Sequence, residues 1–480
     1  MNFYFEAAKT LDRLDAKQGS IKGVLATLPE KDRKRTAALV IETLKYKSVL
    51  SDVIVLAKLL KEEKKITSMN LALVLVHDLL LAGGIQAGDG PIKQGVLRHR
   101  ARLNGELQKI KIKRGARSNS ELAQVGDERA VRIPRYVRVN TAVWTTEDAV
   151  KWYISRGFQL TGPFESDKGF SKDEHIPNLL LFSPQTQFHD DSAYKAGKII
   201  LQDKASCFPA VVLAPPSEDS SVVLDATAAP GNKTSHISAL MHNKGKVFAF
   251  ERDRKRFSTL KMMLSKAHCR NVECLNVDFL AVNPLDPQFS TLTHILLDPS
   301  CSGSGIVNRL DYLVDTEEEE NDSAQEERLN KLAAFQLMMV KHAMKFPAVI
   351  KIVYSTCSIH ATENEQVVRQ ALESEEARAA HFVLAPRSDV LPAWKRRGLT
   401  EEMSNAGDAS SLVRCSPGDD ATNGFFVSCF VKGDLKMTGG MVKEGKRKAD
   451  EATEGEVAER STTGTGSRKR KKMSNKAKRT

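Results

Sequence analysis

The sequence predicts an α/β fold organised around a doubly wound parallel sheet. Two observations carry that expectation. From Val222 to Val431 strand-like apolar runs alternate with helical patterns, as they do where crossover helices join parallel strands. Within that region "SVVLDATAAPGNKTSHISAL" reads as strand, tight turn and helix, the local unit that opens such sheets. A helical stretch and a small α+β module precede it.

The elements follow in order. Up to Ala82, apolar residues recur at helical spacing, and Ser68-Met69-Asn70 reads as the cap before the last apolar helix of that stretch. A basic run follows, from Lys93 through Arg98, Arg100, Arg102, Lys109 and Lys111 to Arg117. Such a run is either a solvated helix face or a phosphate-contacting surface. "PRYVRVNT", "NLLLFS" and "GKIILQD" read as strands, with a helix near 146–156. The expected divisions are 1–117 (helical, basic, RNA-binding), 118–133 (linker), 134–202 (small α+β), 203–432 (the α/β domain) and 433–480 (disordered basic tail). The tail lacks apolar residues to bury, and its clusters "KEGKRK" and "SRKRKKMSNKAKRT" read as a nuclear address or a nucleic-acid arm. Residues 315–328 read as an acidic loop running into a helix.

Bulk composition narrows the class. The chain has 480 residues, 41% hydrophobic, with a formal net charge of +12, which favours a polyanionic partner. Residues 1–17 lack the apolar segment of a secretory signal. The most apolar run, Leu71–Gly83, is interrupted by His77-Asp78 and falls short of the ~20 residues a bilayer span needs. The expectation is an intracellular protein without membrane spans. Its seven cysteines show no C-x-x-C and no regular spacing, so neither a disulfide framework nor a metal site is expected.

The turn after Asp225 holds small residues that let a ligand approach the backbone. Gly231 permits unusual angles, and the helix beyond offers N–H groups. "GNKTS" lacks the first glycine of a P-loop, and Asn232 splits its Gly-Lys pair. Twenty residues past Gly231, Glu251 ends the next strand, a position suited to ribose hydroxyls. Asp278 follows a third strand and either meets an adenine amino group or caps a turn. Acids at three strand ends, without G-x-G-x-x-G, suit an adenosine cofactor lacking phosphates. S-adenosylmethionine, with its cationic sulfonium, fits.

Two thiols stand just past strand ends, Cys301 in "ILLDPSCSGSG" and Cys357 in "IVYSTCS". Enzymes that methylate exocyclic amines place an aromatic ring after Asn/Asp-Pro-Pro; here Asp298-Pro299-Ser300 leads to sulfur. Sulfur suits carbon: a thiolate adding to C6 of a pyrimidine makes C5 nucleophilic. Asp298 suits the base edge, and a second thiol suits release. The competing readings are an exocyclic-amine or DNA methyltransferase, and a non-catalytic assembly factor. The remaining cysteines, 207, 269, 274, 415 and 429, read as packing.

"DATAAPGNKT", "DPSCSGSG" and "YSTCS" followed by "ENE" resemble the RNA 5-methylcytosine methyltransferases of the NOL1/NOP2/Sun family. The similarity runs from Pro134 to Val431 and includes "LQDKASCFPAVVL" and "VRCSPGDDATNGFFV". The resemblance implies a Rossmann-like S-adenosylmethionine-dependent methyltransferase domain and an RRM-like module before it. It implies Cys357 as nucleophile and Cys301 in release. It implies cofactor contacts from Ala228, Ala229, Pro230, Gly231, Asn232, Lys233 and Thr234, with Glu251, Arg256, Asp278 and Asp298. It implies Lys204 near base and cofactor. The helical N-terminus and Ser300, where most members carry proline, resemble the nucleolar subgroup acting on large-subunit rRNA. An rRNA or pre-ribosomal partner in the nucleolus is the expectation, with transfer RNA as the alternative substrate.

Overall fold

The computed structural model describes residues 1–308, 310–314 and 322–433. The acidic run 315–321 and the basic tail 434–480 lie outside the described residues.

The N-terminal region is helical, as its periodicity predicts. Helices Asn2–Asp15, Arg33–Lys45, Lys47–Leu56, Met69–Leu81 and Arg100–Lys113 pack around Tyr4, Leu11, Leu50, Leu73 and Leu103, all fully buried. Ser68 caps Met69–Leu81 by accepting from the Leu71 N–H at 3.1 Å. Among the described residues no helix is long and apolar enough to cross a membrane. Part of the basic run is neutralised inside this region: Arg98 pairs with Glu63, Arg102 with Glu62 and Lys109 with Glu106. That thins the phosphate-contacting surface expected there.

A five-stranded sheet comes next: β1 (Arg135–Val139), β2 (Gln159–Leu160), β3 (Gly169–Lys172), β4 (Leu179–Phe182) and β5 (Ile199–Leu201), in the order β2-β3-β4-β1-β5. Helix Thr146–Ser155 and the short helix Ser192–Lys195 complete a split β-α-β-β-α-β arrangement built on β1, β3, β4 and β5, with β2 an added edge strand beside β3. Its core is aromatic, with Tyr153 edge-on to Phe182 at 4.8 Å and Phe170 stacked on Phe182 at 5.1 Å. β2 and β3 were not among the strands the sequence marks; β2 is two exposed residues long and β3 half polar.

The large sheet comprises β6 (Val222–Asp225), β7 (Lys246–Phe250), β8 (Val272–Leu275), β9 (Leu292–Leu297), β10 (Lys351–Thr356), β11 (Phe382–Leu384), β12 (Val413–Cys415) and β13 (Phe425–Lys432). Its order is β11-β13-β10-β9-β6-β7-β8, with β12 beside β13. Strands β6 to β10 run parallel, and β13 lies antiparallel to β10. Both faces are covered, which is why the strands read as unbroken apolar runs. Ile352 and Tyr354 join one core with helix Asp322–Ala343, while Val353 joins the other with Phe208 and Ile237. The chain steps outward from β6 to β8 and then returns to β9. The order therefore reverses between β6 and β9, and doubly wound sheets open their ligand crevice at the carboxyl ends of such strands.

Candidate active site

A cavity of about 380 Å³ opens there. One wall is the turn after β6. Asp225 ties it shut: its carboxylate accepts from Thr234 Oγ1 at 2.7 Å and from the Thr227 N–H at 3.2 Å. Burial pushes the Asp225 carboxyl up to about 6. Gly231 has φ of 112°, and a Cβ there would meet Leu260 at 3.3 Å, so glycine is required. Ala229 and Pro230 line the cavity beside Ala226 and Thr227, whereas Ala228, Gly231, Asn232, Lys233 and Thr234 are not in its wall and shape the turn from behind.

That turn is also held from outside. Arg138 of β1 is fully buried. It donates to Gln202 Oε1 at 2.7 Å, to Ser235 Oγ at 2.8 Å and to the Asn232 carbonyl at 3.2 Å. Burial pulls its pKa down to about 10. The small module is thus bolted to the first turn of helix Asn232–Leu240.

Carboxylates supply the opposite wall. Glu251 follows β7, accepts from the Asp253 N–H at 2.8 Å and lies 3.6 Å from Arg256, which donates to the Ala229 carbonyl at 2.8 Å. Asp278 sits three residues beyond β8 and caps a turn through the Leu280 N–H at 3.0 Å, one of its two expected roles, while also lining the cavity. Asp298 follows β9, with one oxygen accepting from Ser355 at 2.7 Å and the other paired with Lys233 at 2.6 Å. Burial by itself would lower the Lys233 ammonium, but Asp298, Cys357 and Asp225 outweigh it and hold its pKa above the usual value.

The thiols meet at the mouths of neighbouring strands. β9 and β10 pair with Leu297 opposite Tyr354, and the Cys301 and Cys357 sulfurs lie 3.0 Å apart, both lining the cavity. The Cys301 thiol is pushed far up, first by its hydrogen bond with Cys357, then by burial and by the negative charge of Cys357 and Asp298. The two sulfurs share one hydrogen bond, and these surroundings disfavour a thiolate on Cys301. The "ENE" residues frame both loops. Glu363, fully buried, accepts from the Ser302 N–H at 2.9 Å and from Gln336 at 3.0 Å. Asn364 accepts from Thr356 Oγ1 at 2.5 Å and donates to the Ser358 carbonyl at 3.0 Å. Gly305 donates its N–H to the Cys357 carbonyl at 2.9 Å.

One expectation is corrected. Lys204 does not line this crevice; it lines a second cavity and pairs with Asp173 at 2.7 Å. The lysine that reaches Asp298 is Lys233. Sequence reasoning also missed Thr227, Phe250, Phe279, Phe335 and Met339 in the wall. Phe335 and Met339 share a helix face four residues apart, a spacing indistinguishable from ordinary core packing. The other five cysteines are absent from the wall. Among them Cys207 and Cys429 are buried, with pKa values pushed up to about 12. No cluster of His, Cys, Asp and Glu suited to a metal ion occurs among the described residues.

Solved structures share this architecture. A methyltransferase homologue from Pyrococcus horikoshii superposes with a TM-score of 0.50 at 22% identity, over 78% of this chain and 99% of that one. The PH0851 structure gives 0.57 at 21% identity, over 85% and 91%. Three carboxylates in the crevice would repel a phosphate and suit an adenosine with a cationic sulfonium. Fold and crevice are those of a Rossmann-like, S-adenosylmethionine-dependent methyltransferase. The chain's family is narrower. Residues 210–431 match the family described as 16S rRNA methyltransferase RsmB/F. Residues 34–123 and 133–202 match the N-terminal and ferredoxin-like domains of NOL1/NOP2/Sun domain family member 5. A 25S rRNA (cytosine-C(5))-methyltransferase, rcm1, of Schizosaccharomyces pombe is 43% identical over 89% of this chain and 91% of its own length. A mouse 28S rRNA (cytosine-C(5))-methyltransferase is 41% identical over 91% and 92%. The chain belongs to the NOL1/NOP2/Sun family, in its member 5 branch.

Proposed function

We propose that this chain methylates carbon 5 of a cytosine in large-subunit ribosomal RNA, in the nucleolus, with Cys357 as covalent nucleophile. One observation carries the reading: two sulfurs 3.0 Å apart, beside Asp298, in the wall of a crevice built for a methyl donor. Relatives named for 25S and 28S rRNA, matched over nine-tenths of their length, supply the substrate class.

The residues divide the work. Cys357 is the nucleophile, and Cys301 is its hydrogen-bonded neighbour at 3.0 Å. A cytosine unstacked from its strand enters the crevice, and the Cys357 Sγ–C6 bond forms. The C5=C6 electrons shift, leaving C5 nucleophilic, while Asp298, held by Lys233, steadies the charge that develops on the base edge. S-adenosylmethionine, when bound, supplies the methyl group; Glu251, Asp278, Ala229 and Pro230 are the residues that would hold it. The C5 proton then passes to solvent water, its electron pair re-forms the C5=C6 bond, and the Cys357 sulfur departs as a thiolate. Cys301 is the acid–base group beside that departing sulfur. Ser355 and Lys233 fix Asp298, and Glu363 fixes the Cys301 loop, before substrate arrives.

The test uses labelled S-adenosylmethionine with large-subunit rRNA and with transfer RNA, followed by hydrolysis to nucleosides. Label should appear in 5-methylcytosine from rRNA. Cys357→Ala should end it, and Cys301→Ala should leave a protein–RNA adduct on denaturing gels. Unchanged methylation by Cys357→Ala would remove the mechanism.

A further inference from the structure

We infer that the second cavity, where Lys204 lies, is a subsite for one nucleotide flanking the target cytosine. The inference rests on the proposed RNA substrate and adds to it a place and a chemistry of recognition. The cavity measures about 640 Å³, within the range of small-molecule sites. Its walls come from both domains: Lys172 and His175 from the small module, Lys204 from the first helix of the α/β domain, and Trp394, Lys395 and Arg396 from the segment before β12.

Its position fits a strand leaving the crevice. β13 begins at the sheet edge where β10 ends, with Phe426 opposite Thr356. From there hydrogen bonds lead step by step to the cavity. Gly305 donates to the Cys357 carbonyl, and Gly424 donates to the Gly305 carbonyl at 2.7 Å. The next residue back, Asn423, donates to Asp203 at 2.8 Å, and Asp203 adjoins Lys204. A continuous hydrogen-bonded scaffold therefore ties the walls of the two cavities together.

Its chemistry fits a base. Arg396 forks onto Asp420, at 2.6 and 3.4 Å, which holds the guanidinium flat. Flat guanidinium faces stack on unpaired RNA bases. The Lys204 ammonium carries three N–H donors. Asp173 lies 2.7 Å away as its ion-pair partner, the Trp394 ring lies 5.4 Å away, and His175 Nδ1 lies at 3.1 Å and must accept, since an ammonium only donates. At least one donor remains for a ligand. Asp173 and Lys204 are 1% and 7% exposed, and a sealed ion pair adds little net stability, so stability alone does not account for it. A donor at the floor of a cleft favours a base that presents a carbonyl oxygen over adenine, which has none. Lys172 and Lys395, exposed at the rim, suit the adjoining phosphates.

The test uses full-length protein and a set of rRNA fragments, each with an abasic site at one position flanking the target. Wild type should lose about tenfold in kcat/KM at one flanking position, the scale of one stacked base. Arg396→Ala should lose about as much on the intact fragment and nothing further at that abasic position. Replacing that nucleotide by adenine should weaken wild type but not Lys204→Met. Arg396 is exposed, so its variant folds even where Lys204→Met does not. Fluorescence anisotropy on the same fragments reads binding without turnover, so failure of the subsite and failure of methylation are distinguished. Losses that multiply at every position, or a wild type indifferent to all flanking bases, would overturn the inference.

Discussion

Two buried lysine–aspartate pairs flank the first turn of one helix, and they do different things. Lys204 opens helix Lys204–Leu213 and pairs with Asp173 at 2.7 Å; Ser206, two residues on, accepts from Lys233, which pairs with Asp298 at 2.6 Å. The distances hardly differ, but the exposure does. Asp298 keeps 27% of its side chain open to the crevice, whereas Asp173 keeps 1%. An ion pair with one open carboxylate can act on a substrate. A sealed pair with two committed partners positions its neighbours and presents at most a spare N–H. Length and strength of the bond therefore say little about role; what each carboxylate faces says more.

The comparison is broken most directly at Asp298. Asp298→Asn keeps the shape and removes the charge, leaving Lys233 buried without a counter-charge. We expect kcat for rRNA methylation to fall about a thousandfold, the upper range for losing one preorganised electrostatic group. Wild-type kcat in this variant, measured by label transfer, would make the Lys233–Asp298 pair structural. The two lysines give the next contrast. Lys233→Met should cost about a hundredfold in kcat, within the range of a lost acid–base partner, with little change in melting temperature because Asp298 reaches solvent. Lys204→Met should do the reverse. It removes the counter-charge of Asp173 in a sealed site, which typically costs about 3–5 kcal/mol of stability, and replacing Asp173 by asparagine as well should restore most of it, because the amide oxygen still accepts from the His175 and Ile176 N–H groups. Denaturant melts and turnover on the same preparations check both, and a swapped pattern would exchange the roles.

Lys204 enters only through the resemblance of "QDKAS" to a family motif, and a motif match does not say which side of its helix a lysine leaves from. Lys233 was legible as part of "GNKTS", yet only the reversal of strand order between β6 and β9 carries it across to Asp298. The parallel sheet, the small-residue turn and both thiols were readable because each rests on local chemistry: apolar runs, a glycine at φ of 112°, sulfur past a strand end. Arg138 and Glu363 were not readable as anchors. One sits in a strand whose alternation puts it on the face opposite Val137 and Val139, where an arginine reads as solvent-facing, and the other meets the Cys301 loop across 61 residues. Phe335 reaches the cofactor wall from a helix beyond the acidic run, and no pattern distinguishes it from core.

The finest probe of the comparison is a histidine. His175 has a pKa lowered by burial first and by the Lys204 charge second, with Glu174 and Asp173 opposing. The folded state therefore takes up this proton less readily than the unfolded chain, whose histidines titrate near ~6.5. The stability tied to the neutral ring is complete above that pH and is lost as pH falls below it, towards the folded value. Lys204→Met deletes the second cause and leaves the first. The His175 pKa should rise in the variant yet stay below ~6.5, and the acid-induced loss should shrink without vanishing. Imidazole titration followed by NMR, with melts at about pH 7.5 and pH 5.5 on either side of that value, reads both effects. An unchanged His175 titration would mean that ring and ammonium do not feel each other, and the sealed pair would then have no hold on the second cavity. The Lys233–Asp298 pair has no histidine partner among its hydrogen bonds, so Lys233→Met should leave the His175 titration where it is.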